Sequence, residues 1–469
     1  VNGAVPVVIG GGPAGLAAAH ALALAGRRPV VLEAGPLLGG LARTEVYRGY
    51  RFDIGGHRFY TRNERIRLYW DELMGGEFRR VNRLSHIYYR RRFFNYPLEP
   101  FNALRHLGLA ESTRVVLSYL RAKIRPHADE STMDRWLSNR FGERLFRMFF
   151  ATYTEKVWGL PCSAIQAEWA SQRIRGLSLR TAVTNALFGS NGAKTLIRTF
   201  DYPPLGPGQM WDKIAGAITA AGGTVRTGRP VVGLRWSGGV VREVVARSDA
   251  GTETIPAGPV ISTMPLGQLP GLLDPPAPPE VLAAAGALSY RSFILVGLIV
   301  DRPTVLRDNW IYVHEPEVRV GRIQFFRNWS ADLVPDPARG SVGMEYFCRE
   351  GDPLWNSSDA ELVALAGHEL AQLNLLESRN IVDGVVYRQP HAYPVYDGRY
   401  RECRERVQRF LAGFGNLQSI GRNGTHQYNN MDHSMWMGLA AADRLLHQGE
   451  GEWREPAWSE DLDAGSEYA

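Results

Sequence analysis

A mixed α/β and α+β architecture follows from three features of the sequence. A strand, glycine turn, helix, strand unit opens the chain, a long helical stretch follows, and short apolar runs cluster beyond residue 290. Together they predict a Rossmann-type dinucleotide-binding domain, an inserted helical domain, and an antiparallel β-sheet substrate domain. The length of 469 residues agrees, since a single core rarely grows past about 300 residues.

The opening unit is "VPVVIGGGPAGLAAAHALALAGRRPVVLEAG", Val5 to Gly35. Gly10, Gly12 and Gly15 form GxGxxG after an apolar run and at the mouth of an Ala/Leu helix, and Glu33 closes the second strand. The first glycine allows the tight turn, the second lets a pyrophosphate approach the helix N-terminus, and the third permits close helix packing. A carboxylate at Glu33 can accept from ribose hydroxyls. From Asn102 to Phe200 the apolar spacing is helical, as in "LAESTRVVLSYLRAKI" and "STMDRWLSNRFGERLFRMFFATY", with Ser131 the expected N-cap of the latter. The stretch "GQMWDKIAGAITAAGGTVRTGRPVVGLRW" and then "GPVISTMPL" read as a return to the nucleotide domain. The runs "FILVGLIV", "NWIYVHE", "VGRIQFFRNW" and "GSVGMEYFC" read as the strands of the substrate sheet.

On this reading the nucleotide-binding domain takes residues 1–80, 201–265 and 396–448, the sheet domain 81–101 and 266–395, and the helical domain 102–200. Residues 449–469 form an acidic tail, expected to be solvated.

Composition narrows the function classes. The formal charge is +6, carried almost wholly by arginine, with Lys123, Lys156, Lys194 and Lys213 the only lysines. No basic run accompanies a nucleic-acid-binding signature, so scattered arginines suit an anionic small molecule better. No stretch of about 20 residues is apolar enough for an integral membrane segment. The chain starts almost directly in a strand pattern, so no signal peptide is expected and the cytoplasm is the expected location. Cys162, Cys348 and Cys403 are far apart, with neither a disulfide framework nor metal-ligand spacing, so no metal is expected. Nothing in the sequence indicates the oligomeric state.

Just after Glu33, "GPLLGGLARTE" carries a glycine pair ending at Gly40, followed by Arg43 and Thr44. It resembles the GGxxRT stretch that follows the nucleotide fold in flavin amine oxidases, which favours FAD over NAD. Four further stretches, "DIGGHRFYT", "FFNYPL", "YTEKVWG" with the nearby "QRI", and "YPVYD" followed by "IGRNGTHQYNNMDHSM", resemble in the same order the landmarks of the UDP-galactopyranose mutase family and its flavoprotein relatives. With the FAD stretch, the resemblance spans nearly the whole chain. Each piece is short, and specificity lies in their joint order.

The resemblance implies a role for each matching residue. Gly55 and Gly56 would let backbone lie against the flavin, with His57 beside its reacting nitrogen. Val231, Gly421, Asp432 and Met435 would join the cofactor site, the helix "HSMWMGLAAADRLL" pointing its positive end at the flavin. Trp158 would line the sugar and nucleotide cleft. Arg422, Tyr428 and Tyr393 match residues that contact the diphosphate, and one of Arg173, Arg175 and Arg180 would match a mobile arginine that closes over it. Spacing leaves open which one, and a solvated charged face is the competing reading of those three. The family reads Tyr-Tyr-Asp-Met-Asp where this chain has Tyr428-Asn429-Asn430-Met431-Asp432, so one tyrosine and one carboxylate have become amides. Asn430 can equally serve as the N-cap of the helix behind it.

The implied activity is exchange of pyranose and furanose rings in a nucleotide- or phosphate-linked sugar, with a reductant to keep the flavin reduced. An FAD-dependent oxidoreductase of the amine oxidase or protoporphyrinogen oxidase type is the alternative, and a flavin-bound scaffold the third class.

Overall fold

The computed structural model describes residues 4–96, 98, 100–167 and 198–447. Arg173, Arg175, Arg180 and the acidic tail lie outside the described residues.

Five parallel strands form the first sheet, in the order Thr224–Arg226, Val30–Leu32, Val5–Ile9, the C-terminal half of Gly251–Ser262, and Leu417–Ser419. The first half of Gly251–Ser262 leaves this sheet and pairs antiparallel with Val240–Ser248, which in turn pairs with Val231–Ser237. Val7 and Val8 are fully buried because helices cover both faces. Helices Pro13–Leu24, Gly208–Ala220 and Met431–Leu446 share one core, and Pro279–Ala287 and Tyr400–Leu411 cover the other side. The alanine-rich face of the first helix lets the last one approach closely: a Cβ on Gly438 would stand 2.2 Å from the Ala14 carbonyl oxygen.

The second sheet runs Ile381–Pro394, Tyr290–Val300, Gly340–Cys348, Arg322–Phe325, Trp310–Val313, Ser85–Tyr89, Arg92–Asn95. Its pairs are antiparallel except Trp310–Val313 with Ser85–Tyr89. That hairpin arrives from far upstream in the chain, so no tight turn dictates its direction. Tyr290–Val300 is buried along nearly its whole length, which explains a continuous apolar run in place of alternation. Helix Asp359–Gln372, started by a Ser358/Glu361 capping box, shields one face of the sheet. The other face belongs to the largest core, shared with the helical region.

Helices Pro100–Leu107, Leu109–Ile124, Met133–Phe141, Glu143–Phe146 and Thr152–Trp158 occupy the middle of the chain, with a π-helical stretch at Arg147–Ala151. Met133–Phe141 starts one residue later than expected. Thr132 takes the N-cap position, and Ser131 is held outside the helix by its own N–H bond to Asp129 Oδ1 at 2.9 Å. The mixed α/β and α+β class expected from the sequence is the one observed. Among the described residues no helix is long and apolar enough to cross a membrane.

Candidate active site

A cavity of about 500 Å³ opens between the two sheets. At one end stands the turn after Val5–Ile9. Gly10 adopts φ +103°, and a Cβ there would fall 2.1 Å from Thr263 Oγ1. Gly15 does not line the cavity; it lies under the turn, where a Cβ would sit 2.1 Å from the Gly10 carbonyl oxygen. Gly12 is different. A Cβ on it would meet nothing nearer than Gly40 Cα at 3.9 Å, so it would occupy the cavity itself. Backbone cleared of side chains at a helix N-terminus fits a pyrophosphate. Glu33 accepts from the Gly11 N–H at 2.7 Å and the Gly35 N–H at 2.8 Å, one on each carboxylate oxygen, leaving lone pairs free for hydroxyls.

The N-terminus of Met431–Leu446 reaches the same cavity through Asn430, Met431, Asp432, His433 and Ser434. Asn430 occupies the N-cap position, yet its side chain makes no capping bond. Gly421, Val231, Gly40, Gly55 and Gly56 are also in the wall. Two sequence expectations are not met there. Met435 is buried beneath the helix, where its sulfur accepts the Trp70 indole N–H at 3.1 Å. Arg43 stands behind the wall, bonded to the Gly40 carbonyl at 3.0 Å, to Glu45 at 2.6 Å, and to Gln389. It ties the segment after Val30–Leu32 to the strand Ile381–Pro394.

His57 faces the cavity from the glycine pair. Its Nδ1 lies 3.1 Å from the Gly55 carbonyl, which can only accept, so the neutral ring carries its proton on Nδ1 and a lone pair on Nε2. Burial, then the nearby guanidinium of Arg422 and more weakly that of Arg322, pushes the imidazole down to about 3. His57 is therefore neutral at physiological pH. Behind the loop, Asp53 is buried and accepts from Thr44 Oγ1 at 2.7 Å and from the Tyr202 hydroxyl. Burial pushes its carboxyl up to about 7 against those hydrogen bonds.

Arg422 reaches the cavity from the short helix Gly421–Gly424. Its Nε donates to the Asn429 carbonyl at 2.9 Å and its Nη1 to the Ala392 carbonyl at 3.1 Å. The guanidinium lies 4.0 Å from the Tyr428 ring centre and 5.5 Å from that of Tyr393, and the two rings stack at 5.9 Å and 17°. Among the described residues no carboxylate pairs with Arg422. The group is a cation oriented by carbonyls and aromatic faces, with its charge left for a ligand. Trp158 does not reach this wall. The left-handed Gly159 ends its helix and leaves the indole buried edge-on behind Tyr393, ring centres 6.2 Å apart.

Sequence reasoning missed Arg322. It lines the cavity from the strand Arg322–Phe325 and donates to Glu345 Oε2 at 2.9 and 2.6 Å, and Gln324 donates to Glu345 Oε1 at 2.6 Å. An arginine and a glutamine inside an otherwise apolar strand pattern were the available signal. Gln389 and His391 were missed likewise.

A model of flavin containing amine oxidoreductases matches residues 13–401. A solved reduced UDP-galactopyranose mutase superposes with a TM-score of 0.82 over 99% of this chain and 100% of its own, at 22% identity. A putative protoporphyrinogen oxidase from Exiguobacterium sp. 255-15 gives 0.71 over 95% and 99% at 18% identity. A redesigned putrescine oxidase gives 0.62 over 95% and 99%, also at 18% identity. These likenesses concern the fold, which all three neighbours share with this chain. The chain belongs to the family of flavin-containing amine oxidoreductases.

Proposed function

We propose that this flavoprotein binds FAD and exchanges pyranose and furanose ring forms of a sugar carried on a nucleotide or another phosphate. The observation that carries the reading is Arg422, a cavity-lining cation with no carboxylate partner among the described residues, framed by Tyr393 and Tyr428. Gly10, Gly12 and the N-terminus of Pro13–Leu24 would hold the FAD pyrophosphate, Glu33 a ribose, and Gly40, Val231, Gly421 and Asp432 the remaining backbone-lined wall. Reduced flavin, when bound, supplies an electron-rich nitrogen nucleophile without net redox change.

The chain's own residues then have defined work. Arg422 donates to phosphate oxygens and stabilises the charge that grows on the carrier as its bond to the sugar breaks. The Tyr393 hydroxyl is held protonated, pushed up to about 12 by burial, so it donates to the same oxygens. Neutral His57 offers Nε2 as an acceptor and adds no positive charge of its own. Asn429 and Asn430 stand where the resembling family has tyrosine and aspartate, which favours a sugar or carrier other than UDP-galactose.

A second reading, hydride transfer from a phosphorylated substrate to FAD, follows from the family itself. Stoichiometry separates the two. The reduced protein is incubated without oxygen with a panel of nucleotide sugars, and product is compared with reductant consumed. Many turnovers per reducing equivalent, lost when the flavin is oxidised, support ring exchange. One acceptor reduced per product would overturn it.

A further inference from the structure

We propose that the helix Leu109–Ile124 docks this protein on an anionic lipid surface. The helix seats one side on the neighbouring helices, where Val115 is buried and a Cβ on Gly142 would come within 2.7 Å of the Tyr119 nitrogen. Its opposite side is apolar and open: Leu109 is 91% exposed, Val116 43%, Leu117 59%, Leu120 48% and Ile124 78%. At 3.6 residues per turn these five fall within an arc of roughly 100°, interrupted only by Thr113, whose hydroxyl donates to the Leu109 carbonyl at 2.9 Å. Apolar stripes on helices normally face a core, and among the described residues this one is without such a cover.

Charge identifies the occupant. Along one edge of the stripe stand Arg114 and Arg121, two turns apart and both exposed, with exposed Arg125 at the C-terminal end, while Lys123 on the other edge turns its Nζ to the Asn139 carbonyl at 2.8 Å. The helix holds one acidic residue, Glu111, which is already engaged by Arg144 at 2.9 Å and by Arg114 at 3.5 Å, with Arg90 also near. Among the described residues no ion pair involves Arg121 or Arg125. A two-fold contact between copies of the chain would set this basic rim against itself. A nucleic acid would pair with the arginines and leave the five apolar side chains in water. A membrane interface of anionic headgroups over acyl chains satisfies both parts. The surface is separate from the cavity residues, so the proposal stands or falls independently of the reaction assigned above.

The test is co-sedimentation of the full chain with vesicles of phosphatidylglycerol and phosphatidylcholine, against phosphatidylcholine alone. Binding to the mixed vesicles only, weakened by salt, is expected. R114Q with R121Q should weaken it about thirtyfold, as expected for two charges at a lipid surface. L117S with L120S should weaken it even at low salt, while flavin content and circular dichroism stay at their wild-type values. Failure of the wild-type chain to sediment with anionic vesicles overturns the proposal. So does a dimer in light scattering that L117S with L120S splits and that shows no vesicle affinity.

Discussion

Where the helix Pro13–Leu24 meets the cavity the wall is backbone, cleared by Gly10, Gly12 and Gly40, whereas around Arg422 it is side chain, with a guanidinium and two phenol rings brought together from segments about 30 residues apart. The first region works by leaving atoms out, so any added atom should disable it as a unit. The second works by placing individual donors, so it should lose affinity one group at a time.

The largest effect is expected in the backbone-built region. Gly15→Ala puts a methyl 2.1 Å from the Gly10 carbonyl oxygen, with strand and helix both fixed by the sheet. Overpacking of this kind costs about 3 kcal/mol, and the variant should lose bound flavin and several degrees of melting temperature together. If it keeps its flavin at an unchanged melting temperature, the rigid half of the comparison is wrong.

Arg422→Ala should spare flavin content. It should weaken a phosphorylated ligand by about 1.5–3 kcal/mol, roughly tenfold to a hundredfold, and leave the dephosphorylated sugar almost untouched. Calorimetric titration with both ligands checks it, and equal losses would make Arg422 a support for Asn429 and Ala392 alone. Lys in place of Arg should recover part of the affinity, since the charge remains while the paired donors do not.

Asp53 stands behind the loop that carries His57. Its carboxyl is raised from 3.8 to about 7 in the fold, so the folded chain holds a proton that the unfolded chain releases. The stability this group lends is complete below about pH 4 and is lost as pH rises through about 7, with a slope of at most about 1.4 kcal/mol per pH unit. Asp53→Asn should flatten that slope in urea titrations run across this range. An unchanged slope would mean that Asp53 is ionised in the folded protein. His57 has the opposite sense: its value falls from 6.5 to about 3, so its contribution is complete above pH 6.5 and is lost as pH falls towards about 3.

Trp158→Phe should produce the smallest change, roughly threefold at most in affinity for the phosphorylated ligand. The indole touches Tyr393 from behind and does not line the cavity. A much larger loss would place the ligand where this wall shows only protein.

How much was legible follows the same division. Gly10, Gly12, Gly15 and Glu33 could be read from spacing, because strand, turn and helix are consecutive in the chain and their geometry is local. The apolar run Phe293–Val300 announced a strand, and only the structure showed it buried along nearly its whole length. Local signals failed for placement by a few ångströms: Ser131 against Thr132 as the helix start, and Met435, turned into the core at the residue after Ser434, the last of this helix in the cavity wall. Trp158 failed for another reason, since its burial depends on Tyr393, which the sheet delivers from more than 200 residues away.

By itself the sequence determined the opening strand, glycine turn, helix and strand, the order of helical and sheet regions, and the presence of an arginine and tyrosines in one late motif. Each of these depends on residues near one another along the chain, through turn geometry and periodic burial. Only the tertiary structure decided that Arg322 faces the same cavity as Arg422, that Glu345 holds the first while no described carboxylate holds the second, and that both lower His57. Charge and burial act through space, and which groups share a low-dielectric wall is settled only when distant strands and helices pack.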